Sequence, residues 1–259
     1  SLEQQSRTGL TGDSLEQQIA DTYARHQAEP ENVDHARRLG SLHEQKDDFE
    51  SAMAWFQYAA DLTNRTDSGL LRKVSDLGMK RSEREIVEHE EYLARHGVDD
   101  PQYAERAAAL DAARRRRAEL LIGEARKRSE RNPTDLQLRF ELGEHLLNAG
   151  QFREALPELQ RARQNPNARL KAMNLLGRCY RALGMLDLAA KQLEEASREI
   201  LAMDGMKKEI VYNLGMVYEQ MGDGQRAIDC MKQIYEVDYG YRDVATRVES
   251  SYQSKPQVD

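Results

Sequence analysis

The chain of 259 residues predicts an all-α fold in which antiparallel helix pairs repeat along the sequence. Three observations carry that expectation. A Leu-Gly step, a large residue three positions on, a turn, and an Ala with a large apolar residue four further on recur four times, from Leu39, Leu142, Leu176 and Leu214. The glycines of the last three copies, Gly143, Gly177 and Gly215, stand 34 and 38 residues apart. Finally, 39% hydrophobic against 32% charged residues suits an elongated helical protein in which every helix shows water a polar stripe.

The elements follow in order. Residues 1–13 are expected to be a flexible N-terminus, with SLEQQ at Ser1 and again at Ser14. Residues 14–66 hold a capping helix, Ser14 to Gln27, closed before Pro30, and the first repeat with anchors Ala52 and Phe56. Residues 67–132 form a long charged helical hairpin, whose pattern runs from Asp67 to Arg95, pauses at HGVDDP and resumes from Pro101 to Arg131. There Gly97 suits a left-handed cap, Asp100 an N-cap and Pro101 a first helical turn. The alternative is a break near Ser82, where SERE reads as a capping box and would make two degenerate repeats. Residues 133–240 carry three consecutive repeats, with Gly150, Gly184 and Gly222 where each first helix must stop. A C-terminal capping helix in 241–253 and a disordered tail, 254–259, complete the chain.

In the repeats, the Gly of Leu-Gly removes a Cβ so that the paired helix can approach, with Ala155, Ala189 and Ala227 as small residues opposite. These motifs resemble the tetratricopeptide repeat, whose W-x2-L-G-x2-Y and A-x3-F positions recur about every 34 residues. The resemblance covers about 32–66 and 133–240. It departs at the first large position, which holds Ala36, Arg139, Met173 and Val211 in place of Trp, and in the displaced terminal Pro, as at Pro166. The resemblance implies a right-handed superhelix and a concave groove for a peptide or partner helix.

Repeat positions 2, 5, 9 and 12 face such a groove in the family. They put Phe140 and Leu147, then Asn174, Arg178 and Arg181, then Tyr212, Met216 and Glu219 in the candidate site. Arg178 and Arg181, three apart on one helix face, suit a bidentate carboxylate, and Phe140, Tyr212 and Met216 would supply apolar pockets. The family's readers of heat-shock chaperone tails need Lys, Asn and Arg at five positions that here hold Phe140, Glu144, Leu175, Glu209 and Asn213. That clamp is absent.

The remaining chemistry is bland. A net charge of -7 argues against a dedicated nucleic-acid binder, although Arg114 to Arg117 form an uninterrupted basic run. From Pro101 to Asp135 nine basic residues stand against six acidic, and from Asp76 to Asp100 four stand against eight. Two antiparallel helices of opposite sign are expected to pair their charges, leaving at least one of the four arginines pointing away. Cys179 and Cys230 have no metal-ligand spacing and read as core residues in a reducing compartment. His89 to His96 miss the zinc-protease spacing, and GDG at 222–224 lacks the strand, Gly and Lys-Ser/Thr of a phosphate loop. No run approaches the roughly 20 apolar residues of a membrane span.

The expectation is therefore a non-enzymatic protein-interaction scaffold with no catalytic residues, metal or cofactor. It would be cytoplasmic or a soluble domain of a larger protein, with a signal or anchor upstream of Ser1 left open. The rivals are an architectural, self-associating protein and a nucleic-acid binder using Arg114 to Arg117.

Overall fold

The computed structural model describes residues 2–253, with side chains from Ser14 onward. Among the described residues there are twelve α-helices and no strand. They form two compact units, Ser1–Leu120 and Leu121–Asp259. The boundary falls inside the second hairpin helix and not at its end: Leu120 packs on Gly78 of the first unit, whereas Ile122 and Ala125 enter a core of the second. The expected tail at 254–259 lies outside the described residues.

In the first unit, α1 (Leu2–Ala28) packs on α2 (Val33–Gln45), which pairs with α3 (Phe49–Leu62). The helix starts at Leu2 and not at Ser14, because Ser14 does not act as a cap: its hydroxyl accepts from the side chain of Gln18, 3.4 Å away, inside α1. Trp55, the chain's only tryptophan, meets His26, Tyr23 and Tyr58 edge-on, at centroid distances of 4.9, 6.1 and 6.1 Å. Behind them Ala36, Ala52, Phe56, Ala59, Leu70 and Leu77 form the core.

The hairpin follows as α4 (Ser68–Arg95) and α5 (Tyr103–Arg131). The α4 helix runs unbroken through Ser82, which is buried, so the SERE capping box is not used. Asp67 caps α4 by accepting from Gly69 and Leu70 N–H at 2.9 and 3.2 Å. At the turn, Asp100 accepts from Gln102 N–H at 2.8 Å and from the Tyr92 hydroxyl at 2.9 Å, as a cap should. The expected left-handed cap at Gly97 is not made. Helix α4 ends one residue earlier, at an extended His96 whose N–H donates to the Tyr92 carbonyl and whose ring stacks on Tyr92 at 4.0 Å. Gly78 lets Leu120 approach to 3.1 Å from where a Cβ would stand.

In the second unit, Ile122 and Ala125 of α5 enter the core at the first of three helix pairs. These are α6 (Leu136–Asn148) with α7 (Phe152–Ala162), α8 (Arg169–Ala182) with α9 (Leu186–Glu199), and α10 (Gly205–Gln220) with α11 (Gly224–Tyr235). Helix α12 (Val244–Gln253) packs on α11. The longer, 38-residue interval is absorbed in helix length: α9 has 14 residues against 11 in α7, and α10 has 16 against 14 in α8.

Each pair is joined by the same turn. Gly150, Gly184 and Gly222 take φ of 75°, 75° and 79°. The N–H one residue later reaches back to the carbonyls of Leu146, Tyr180 and Tyr218 at 2.9 Å, which satisfies orphan groups at the helix end. The Leu-Gly glycines act as expected, but against a different partner. A Cβ on Gly143, Gly177 or Gly215 would stand 2.7 Å from Leu159 Cγ, 2.5 Å from Leu193 Cγ or 2.6 Å from Met231 Cε. The large anchor, and not the Ala four residues before it, occupies the space the glycine vacates. Of the departures at the first large position, Ala36, Met173 and Val211 are buried. Arg139 instead pairs with Glu158 at 2.9 Å, with side chains 14% and 16% exposed.

Candidate functional site

Helices α6, α8 and α10, the first of each pair, lie side by side in the second unit. Where α6, α8 and α10 end and α7 begins, they enclose a cleft of about 430 Å³ lined by Leu147, Asn148, Phe152, Arg178, Arg181 and Gln220. The glycine turns make this possible, because each stops its helix sharply and leaves the last turn as a wall. Arg178 and Arg181 are half-buried on one face of α8, and neither has an ion-pair partner among the described residues. Their neighbours differ. Arg169 on the same helix reaches Glu199 at 2.6 Å, and Arg163 lies 3.6 Å from Glu195. Next to Arg178, burial pushes the Cys179 thiol up to about 11 against the pull of the guanidinium.

Of the eight residues expected in the groove, Leu147, Arg178 and Arg181 meet in this cleft. The others have different tasks. Phe140 is only 7% exposed and packs in the core with Leu142, Leu146 and Leu159. Asn174 is buried, donating to Glu209 Oε1 at 2.9 Å and accepting from Asn213 at 2.9 Å, so its amide ties α8 to α10. The Tyr212 hydroxyl donates to Asp243 at 2.8 Å, and the Arg242 guanidinium covers its ring at 4.5 Å. Burial and that carboxylate push the phenol above its ordinary range. Glu219 accepts from Arg247 at 2.9 and 3.1 Å. Met216 packs against the core cluster. Asn148, Phe152 and Gln220 were not in the expected set, although a signal for them exists: each lies two residues from a turn glycine, Gly150 or Gly222.

Models of the tetratricopeptide repeat match residues 16–65 and 140–202, and a second such model matches 209–241, together more than half of the chain. The chain belongs to the tetratricopeptide repeat family. No curated protein matches it. Among solved structures it is similar to YrrB, described as a TPR protein with an unusual peptide-binding site, at 17% identity and TM-score 0.41, covering 90% of this chain and 97% of that one. It is also similar to TTC0263, a thermophilic TPR protein in Thermus thermophilus, at 17% identity and TM-score 0.44, covering 85% and 99%. MamA matches at 18% identity and TM-score 0.45, covering 61% and 84%.

In this TPR protein the arginine run lies along the hairpin seam. Arg114 donates to Glu90 at 2.8 Å, and Arg116 pairs with Glu85. Arg106, nearer the turn, reaches Glu88 at 3.3 Å. Glu85 is partly buried, which raises its pKa, but Arg81 and Arg116 outweigh that and hold the carboxyl below its usual range. Two arginines of the run stay without a carboxylate among the described residues: Arg115 is exposed and bonded only to the carbonyl of Asp111 on its own helix at 3.3 Å, and Arg117 is half-buried with its Nε lacking a partner. Half of the run, Arg114 and Arg116, is thus neutralised within the hairpin. Among the described residues, no three His, Cys, Asp or Glu side chains group to hold a metal ion, and no helix is long and apolar enough to cross a membrane. The TPR repeats support the class of protein-interaction scaffold.

Proposed function

We infer that this TPR protein is an adaptor without chemistry of its own, which holds an acidic segment of a partner protein in the cleft of its second unit. The carrying observation is the pair Arg178 and Arg181, half-buried together in one cleft and without a carboxylate among the described residues, although Arg169 on the same helix has one. A guanidinium held partly out of water gains most from an anion that supplies two parallel acceptors. Phe152 flanks the pair and offers apolar surface for the residue next to the acid, while Leu147, 5% exposed, backs the cleft from the core. Arg181, in the last turn of α8, also offsets the helix dipole, by about 0.3–1 kcal/mol, which is a competing reason for its presence. Two buried free thiols fit a reducing compartment such as the cytoplasm.

The test is a pull-down with wild type, an Arg178→Glu/Arg181→Glu variant and a Tyr212→Phe variant. The charge reversal is expected to lose the partner by more than about tenfold, as for a desolvated charge pair, and Tyr212→Phe to keep it, since that hydroxyl serves Asp243. Equal recovery by wild type and the charge-reversed protein would sink the reading.

A further inference from the structure

The first unit carries a second recess, of about 660 Å³, between the start of α3 and the outer half of α4. It exists because α4, at 28 residues, is twice as long as α3, at 14. Its floor is Phe49 and Val87, and Val87 is 49% exposed, an apolar side chain left facing water. Its rim carries Asp47, Glu83, Glu88 and Glu91 against Lys80 and Arg84, with Glu88 held by Arg106 at 3.3 Å and Glu91 by Arg95 at 3.0 Å. Lys80 is already taken by Glu44 at 3.3 Å, while Arg84 lies over the Phe49 ring at 6.0 Å. Asp47 and Glu83 have no ion-pair partner among the described residues.

Asp47 adds an independent observation. It stands at the turn position that Gly150, Gly184 and Gly222 hold in the other three copies, with the same backbone bonds: the next N–H reaches the carbonyl of His43 at 3.0 Å. Its φ is 59°, the left-handed region in which a side chain costs stability and glycine does not. A carboxylate thus replaces the less strained residue at the one turn of the four that borders this recess. Strain kept where it exposes a charged group points to a use for the group.

The carboxylates along α4 show what this acidic helix pairs with. Arg106, Arg114 and Arg116 of α5 lie along it, on Glu88, Glu90 and Glu85. We propose that the recess is a docking site for a basic amphipathic helix of a partner protein, which sets an apolar side chain on Phe49 and Val87 and a Lys or Arg at Asp47 and Glu83. This surface is separate from the arginine cleft and does not depend on it.

The probes are two labelled synthetic helical peptides with the same leucine stripe, one flanked by lysines and one by glutamates, followed by fluorescence anisotropy on the intact chain. The lysine peptide is expected to bind and the glutamate peptide not to. Val87→Arg and Glu83→Lys are expected to weaken binding at least about tenfold, and Glu236→Lys, the same charge change beyond the end of α11, to leave it within about twofold. Asp47→Gly separates use from folding: it should raise Tm while weakening the lysine peptide several-fold. No binding, or equal losses from Glu83→Lys and Glu236→Lys, would overturn the proposal. So would a concentration-dependent dimer abolished by Val87→Arg in light scattering, because the occupant would then be a second copy.

Discussion

Replacing Gly177 by Ala tests whether the Leu-Gly glycines are there to admit the facing anchor. Two effects oppose each other. Ala in a helix interior is better than Gly by about 1 kcal/mol, whereas an extra methyl in a filled core costs about 1–3 kcal/mol. At Gly177 the new Cβ would stand 2.5 Å from Leu193 Cγ, 2.7 Å from Cδ2 and 3.0 Å from Cδ1. The nearest atom is the branch point of Leu193, which cannot swing aside without moving the side chain's whole end, and Leu193 is fully buried. At Gly123, inside α5 in the same unit, a Cβ meets nothing within 4 Å. The same substitution should therefore have opposite signs: Gly123→Ala stabilises by about 1 kcal/mol, and Gly177→Ala costs a net of about 0–2 kcal/mol. Helix propensity cancels in the comparison, leaving about 1–3 kcal/mol for the clash. Urea unfolding followed by far-UV circular dichroism measures both. A double-mutant cycle with Leu193→Ala should return a favourable coupling of about 0.5–3 kcal/mol. If Gly177→Ala stabilises as much as Gly123→Ala, the packing argument for all four repeats is wrong.

Three further outcomes are expected. Glu158→Ala strands Arg139 in a poorly solvated site and should cost about 3–5 kcal/mol in chemical denaturation, whereas an Arg139→Met/Glu158→Leu exchange should be near neutral or stabilising. Cys179 and Cys230, pushed by burial up to about 11 and about 12, should resist iodoacetamide at about pH 8 in the folded chain and react fully in urea, as read by mass spectrometry. Glu85 has its pKa lowered on folding, so the stability it contributes is complete above its unfolded pKa of about 4.3 and is lost as pH falls through the folded value. Glu85→Gln should accordingly flatten the acid limb of the stability curve below about pH 5 and leave the slope at neutral pH unchanged.

The repeats were legible because their signals are local and steric. A glycine that admits the paired helix, and a glycine at a left-handed turn, can each be read from spacing, whereas the residue that fills the vacated space, the large anchor and not the Ala, shows only in the packing. The hairpin's charge pairing was legible for the same reason, although it leaves two arginines of the run without a carboxylate among the described residues, Arg115 and Arg117. The groove was less so, because facing inward does not decide whether a side chain is free. Asn174 and Phe140 are buried by neighbouring helices, and Tyr212 and Glu219 are engaged by Asp243 and Arg247, from a segment roughly 30 residues downstream. No repeat position encodes that engagement. Asp47 was visible as a residue but not as an exception, since only the backbone shows that it adopts a glycine's conformation. Gly97 failed in the opposite direction: a residue suited to a left-handed cap was not needed once His96 closed the helix in an extended conformation.

Trp55 sits edge-on to three rings at the junction of α1 and α3, and the second unit has no indole at all. The chain therefore carries a built-in reporter of one half. Selective excitation of the indole follows the first unit alone, while the amide signal follows both. Whether the two curves coincide in a single denaturation series tells, without labels or truncation, if the units melt as one cooperative body or in succession.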